Sequence, residues 1–126
     1  MAEEFPGSRL TIVEVGDRRA TVRRGVTGDD VRPGGTVSGP TLMALADTAL
    51  YVAIHATLGI VPLAVTSSLN INFLRRPSPE SDLIGECGLL KVGRTLAVGE
   101  VSLYSRGQDE PVAHVVGTYA LPRRVE

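Results

Sequence analysis

The sequence is short of almost every residue that marks a cofactor site. Its 126 residues include one cysteine, Cys87, two histidines, His55 and His114, one lysine, Lys91, and no tryptophan. A single cysteine excludes an intramolecular disulfide and any cysteine-based zinc cluster. Two histidines are too few for a histidine-rich metal site. An excess of one charge is also missing. With 13 basic and 14 acidic residues the net charge is −1, a poor basis for gripping nucleic acid through bulk charge. The apolar runs, such as residues 49–54, fall far short of the ~20 residues that span a bilayer. The opening Met1-Ala-Glu-Glu-Phe-Pro lacks the basic start and apolar stretch of a signal peptide. The expectation is a cytoplasmic protein with no metal, nucleic-acid or membrane partner.

What is present suffices for one hydrophobic core. A hydrophobic share of 43% against 21% charged residues excludes wholesale disorder. The length corresponds to one domain, residues 1–126, with its core in about 9–121. Residues 9–15 and 18–27 read as two strands around the Gly16-Asp17 turn, a hairpin. A glycine-rich loop of about a dozen residues follows, long enough to be functional. Residues 40–58 form the one long helix. Ser38 and Gly39 are capping-type residues, Pro40 suits the first turn, and Gly59 with Pro62 ends the helix. It is apolar nearly all round, as a buried helix is. From residue 63 the period switches to two. Strands are expected over 63–75, 82–92, 95–105 and 111–121, the four running as a meander. One curved, mostly antiparallel sheet must cover the helix. It cannot surround it, so a partner subunit is expected to cover the rest.

Asp47 is the only acidic residue of that helix. A carboxylate in apolar surroundings is expensive unless paired, and such groups cluster at functional sites. It could also be an edge residue facing water. Tyr51, at i+4, shares its face. Gly39 lies eight residues back, about 12 Å along the axis. There the helix start offers unpaired N–H groups to an anion or a developing oxyanion. Gly34, Gly35 and Gly39 permit close approach of backbone to a ligand. No Gly-Lys-Ser/Thr follows, so this is not a phosphate-binding P-loop. His55 stands too far from Asp47 for a direct pair. Ser38, Thr66, Ser67 and Ser68 lack a Gly-x-Ser-x-Gly elbow. Cys87 reads as a small core residue. Arg75 and Arg76, with Lys91 and Arg94, are either phosphate contacts or solvated strand ends, and both readings stay open.

Taken together, Pro33-Gly34-Gly35-x-x-x-Gly39, Leu45-Ala46-Asp47-x-Ala49, Thr66, and Leu69-Asn70-Ile71-Asn72-Phe73-Leu74-Arg75-Arg76-Pro77 resemble the PaaI-like branch of the hotdog-fold thioesterases. Gly93-Arg94, Val112-Ala113 and Gly117-Thr118-Tyr119 fit the same pattern. The resemblance implies an α+β hotdog fold: a curved antiparallel sheet of about six strands around one central helix. It also implies dimers or tetramers with active sites at subunit interfaces. By position it makes Asp47 the general base or nucleophile and Gly39 the N–H that polarises the thioester carbonyl. Thr66 becomes a hydroxyl that orients water. Arg32 stands where relatives often carry Asn, Gln or His, and arginine donates hydrogen bonds without accepting or shuttling a proton. Gly35, Ser38, Tyr51, Arg75, Arg76, Lys91 and Arg94 are the expected substrate contacts. The activity implied is hydrolysis of an acyl- or aryl-CoA with no metal or redox cofactor, coenzyme A being part of the substrate. The rival readings are an acyl-CoA-binding module that does not turn over, and a hotdog hydratase or dehydratase pairing its acid with a histidine.

Overall fold

The computed structural model describes residues 3–4, 10–33, 35–61 and 63–122. Gly34 and Pro62, and the side chain of Arg32, lie outside the described residues. The strands are β1 (Glu3–Glu4), β2 (Leu10–Gly16), β3 (Arg19–Arg24), β4 (Val31–Arg32), β5 (Thr36–Val37), β6 (Val65–Phe73), β7 (Leu83–Val92), β8 (Leu96–Ser105) and β9 (Ala113–Ala120). The helix α1 runs Gly39–Leu58. One antiparallel sheet has the order β1-β2-β3-β7-β8-β9-β6, and β4 pairs β5 in a small ribbon.

Two expectations need correction. The last four long strands do not form one meander. β7, β8 and β9 do, but β6 pairs with β9 at the far edge while β7 joins β3. The tight turn around Gly93 suits a hairpin, and residues 106–112 return β8 to β9; the connection 74–82 carries Pro77 and Pro79 and crosses instead of folding back. The stretch between β3 and α1 is also not an open loop. The second strand stops at Arg24, and a 3-10 turn, Gly28–Asp30, leads into the β4–β5 ribbon.

The helix starts and stops where the sequence places it. Ser38 is the N-cap, Pro40 stands in the first turn, and Gly59 closes the helix at φ 83°, its N–H donating to the His55 carbonyl at 2.9 Å. By length and hydropathy α1 could cross a membrane, yet it packs beneath the sheet. Leu45, Ala46, Ala49 and Ala53 have no exposed surface. Gly99 and Gly117 are paired across β8 and β9, and Leu50 fills the space they leave. A Cβ at Gly99 would lie 2.7 Å from a Leu50 methyl. Glycine in these strands thus lets the helix settle onto the sheet. The remaining helix face is uncovered: Met43, Ala44 and Tyr51 are exposed. So are Leu63, Val65, Phe73 and Leu74 on and beside β6, whose outer edge pairs with no strand among the described residues.

Candidate functional site

The first turn of α1 leaves one donor unspent. A helix start has four N–H groups without intrahelical partners. Here Pro40 has none to offer, Thr41 donates to the Ser38 hydroxyl at 3.3 Å, and Leu42 to the Ser38 carbonyl at 3.3 Å. The Gly39 N–H has no partner among the described residues. Ser38, expected at the substrate, therefore spends its hydroxyl on the cap and on the Thr41 side chain at 2.8 Å. A Cβ at Gly39 would lie 3.2 Å from the tip of the exposed Phe73 ring, so the glycine keeps this approach to the helix start open.

A buried acid holds the residues on either side of Gly39. Asp30 is 7% exposed and accepts two hydrogen bonds from the Arg24 guanidinium, both at 2.9 Å. It also accepts from the Thr27 N–H at 2.9 Å, the Thr27 hydroxyl at 3.2 Å and the Thr41 hydroxyl at 3.2 Å. Its carbonyl receives the Ser38 N–H at 2.8 Å. The Arg24 hydrogen bonds hold this carboxyl far below the usual carboxylate range, outweighing burial, which acts the other way. β3, the loop and the helix start are joined through it. The sequence reading missed Asp30, because its partners come from three elements.

Two turns along the helix, Asp47 is half-buried. Its Oδ1 accepts from the Thr66 hydroxyl at 2.7 Å and from the Tyr119 hydroxyl at 2.6 Å. The Tyr119 hydroxyl also lies 3.1 Å from the Asp47 carbonyl. Oδ2 takes no hydrogen bond among the described residues. Thr66 and Tyr119 are direct cross-strand partners in the β6–β9 ladder, next to a register shift between Thr66 and Ser68. The structure brings two of the candidate site residues, Asp47 and Thr66, together; Tyr119 is the addition. One signal existed for it. Ala113, Val115, Gly117 and Tyr119 alternate onto the buried face of β9, and a buried tyrosine hydroxyl requires a partner. Tyr119 is 3% exposed, and burial, then the hydrogen bond to Asp47, pushes its phenol upward. It stays a protonated donor at neutral pH.

The other expected contacts divide into two groups. Tyr51 is exposed one turn beyond Asp47, its ring 6.4 Å from that of Tyr119 and 4.0 Å from His55. It borders an apolar groove of about 410 Å³ that His55, Ile60, Ile12 and Val15 also line. Arg75 and Arg76 lie with Gly39 and Phe73 around a cleft of about 350 Å³. Arg75 is already occupied, pairing with Glu110 at 2.6 Å and donating to the Pro111 carbonyl at 2.7 Å. Arg76 has no ion pair or hydrogen bond among the described residues. Lys91 and Arg94 flank the β7–β8 turn; Lys91 pairs with Val98, in the row of Thr118 and Ser68, three strand spacings or roughly 14 Å across the sheet from β6 and farther along it from Arg75 and Arg76. Within one chain these two basic pairs cannot hold one phosphate group. Gly35 is exposed at φ 77°, a conformation that glycine tolerates. Arg32 lies in β4, paired with Thr36.

The remaining reactive side chains are placed elsewhere. Cys87 is buried, which pushes its thiol up to about 12. His55 is half-buried, its Nε2 without a hydrogen-bond partner among the described residues, and burial lowers its pKa. His114 meets Glu100 at 2.9 Å. Among the described residues no group of three His, Cys, Asp or Glu gathers to hold a metal.

Residues 34–112 match the family model of the thioesterase superfamily. Among curated protein sequences none matches significantly. Among solved structures, a candidate thioesterase from Silicibacter sp. TM1040 is 44% identical at a TM-score of 0.83, covering 92% of this chain and 80% of that one. The PaaI protein of the E. coli phenylacetic acid degradation operon is 25% identical at a TM-score of 0.79, covering 88% and 82%. The phenylacetic acid degradation protein PaaI of Thermus thermophilus, solved as a mutant, is 25% identical at a TM-score of 0.78, covering 90% and 93%. A single helix under an antiparallel sheet, the family match and these neighbours lead to one assignment: the chain belongs to the thioesterase superfamily, with a hotdog fold, in its PaaI-like branch.

Proposed function

We propose that the protein hydrolyses the thioester of an acyl- or aryl-CoA, with Asp47 as its acid–base group. The observation that carries this reading is the half-satisfied carboxylate. Two hydroxyls hold Asp47 Oδ1, and Oδ2 is left for chemistry. In the reaction Oδ2 takes a proton from water as the water oxygen bonds to the carbonyl carbon. The carbonyl oxygen gains the charge and is held by a Gly39 N–H at the positive end of a helix. Collapse of the tetrahedral species breaks the C–S bond, and the departing thiolate of coenzyme A takes the proton that Oδ2 had accepted, which restores the carboxylate. Proton movement and charge stabilisation are all the reaction asks for, so no metal or redox cofactor enters the proposal.

The spacing favours a site shared between two copies. Gly39 and Asp47 of one chain are about 12 Å apart along the axis, a long reach for one carbonyl and its water. A two-fold mate would bring one copy's Asp47 toward the other's Gly39. The apolar face of Met43, Tyr51, Val65 and Phe73 and the open β6 edge suit such a homodimer or a tetramer built from it. Coenzyme A phosphates would meet Arg76, and the acyl group the apolar groove beside Tyr51.

A thiol-release assay over short, long, branched and aromatic acyl-CoAs tests the activity. Release with at least one class, lost in Asp47→Asn, is the expected result. Binding without release would identify a binding module instead. Product with a hydrated double bond would identify a hydratase, a reading that the absence of a histidine among Asp47's hydrogen-bond partners disfavours. Light scattering tests the assembly; a stable monomer at micromolar concentration would sink the shared site.

A further inference from the structure

Three observations single out Tyr119. Its hydroxyl makes the shortest hydrogen bond to Asp47, 2.6 Å to Oδ1. Its ring is buried at 3% exposure, so the hydroxyl cannot turn away to water. Its cross-strand partner is Thr66, which donates to the same oxygen at 2.7 Å. A two-donor clamp on one oxygen does more than tie a helix to a sheet. It fixes the plane of the carboxylate and reserves the second oxygen. The ladder register puts both hydroxyls on one face, and the register shift at Thr66/Ser68 lies where a bulge can re-aim a side chain. The Gly99–Gly117 pair lowers the helix onto β8 and β9 so that Tyr119 can reach it.

We propose that Tyr119 is the positioning residue of the Asp47 site: with Thr66 it anchors Oδ1, so that Oδ2 alone faces the reacting carbonyl or its water. This rests on the thioesterase reading above. The two hydroxyls are not equivalent. Thr66 is exposed and its oxygen can still accept from a water, whereas Tyr119 is enclosed and acts through Asp47 alone.

The test is Tyr119→Phe, which keeps the ring in its packing and removes one donor. Turnover is measured per folded molecule, with circular dichroism and melting temperature as the check on folding. The expected result is a fall in kcat of about 10- to 100-fold, the scale of a small misplacement of a reacting group, with KM changed less than about twofold. In the Asp47→Asn background the same change should cost no further rate, because the group it positions is gone. Tyr104→Phe, on the opposite face of the sheet, is the control. Thr66→Val gives an independent reading of the clamp and should also lower kcat. If Asp47→Asn is inactive while Tyr119→Phe keeps wild-type kcat and only melts lower, the hydroxyl is a structural tie and the inference is overturned while the thioesterase reading stands. An equal loss from Tyr119→Phe in the wild-type and Asp47→Asn backgrounds would overturn it as well. A wild-type protein that releases no thiol from any acyl-CoA would overturn both.

Discussion

Asp30 and Asp47 both anchor α1, and they are built in opposite ways. Asp30 is enclosed and accepts from Arg24, Thr27 and Thr41 with both oxygens used. Asp47 has one oxygen used, by Thr66 and Tyr119, and one open. A carboxylate whose lone pairs are all satisfied has nothing left for a substrate; it serves the fold. One held firmly at a single oxygen is oriented yet available. The same residue type is thus fully bound at one end of the helix and left with an open oxygen two turns on, as the proposed chemistry requires. What separates them is the count of donors that the tertiary structure delivers.

Substitutions can break this comparison. The largest expected effect is on rate. Asp47→Asn preserves an acceptor for Thr66 and Tyr119, so the fold should persist with little change in melting temperature. Loss of the base should lower kcat by roughly 10²–10⁴-fold. Steady-state kinetics beside a thermal melt checks both halves.

Asp30→Ala should show the reverse. It removes five hydrogen bonds and leaves the half-buried Arg24 guanidinium without its carboxylate, a loss of up to about 3 kcal/mol. Urea unfolding should register most of that loss, while turnover per folded molecule falls far less than in Asp47→Asn. If Asp30→Ala proves as stable as wild type, the knot is ornamental and the contrast fails.

Acid sharpens the same point. The folded state holds Asp30 below its ordinary 3.8, so in that window the unfolded chain binds more protons than the folded one. Stability therefore rises with pH there. Asp30's contribution is complete above the ordinary value and fades as pH drops from about 4 toward the lower folded pKa. Unfolding midpoints measured downward from neutral pH should decline in this range, and Asp30→Asn should flatten the decline.

The smallest expected effects separate the two adjacent arginines. Arg76→Ala should raise KM by about tenfold and spare kcat, as loss of uniform binding does. Arg75 is committed to Glu110 and the Pro111 carbonyl, and that ion pair is exposed. Arg75→Ala should change KM little and cost at most about 1 kcal/mol of stability. Equal KM effects from the two would remove the distinction.

Much of the fold was legible in the chain. Helix limits are written by Ser38, Pro40 and Gly59 because capping and stopping are local events. Strand periodicity over 82–121 follows from burial on one face, a property each segment carries alone. Asp47 stood out because an acid in an apolar helix needs a reason. The place of β6 was not legible. Strand order depends on which edges meet in space, and a period of two is the same beside β7 as beside β9. Nor could the chain reveal that Arg75 is spent while Arg76, among the described residues, is not, or that among them the Gly39 N–H is left without a partner; those are outcomes of who reaches whom. The sequence by itself determined the long elements, the lone helical acid and the glycine-marked helix start, since propensity, capping and apolar period act over a few residues. Only the tertiary structure decided that Thr66 and Tyr119 converge on one oxygen of Asp47 and that five hydrogen bonds close around Asp30. A hydrogen bond between residues 72 positions apart is set by sheet register and by the depth of the helix on the sheet.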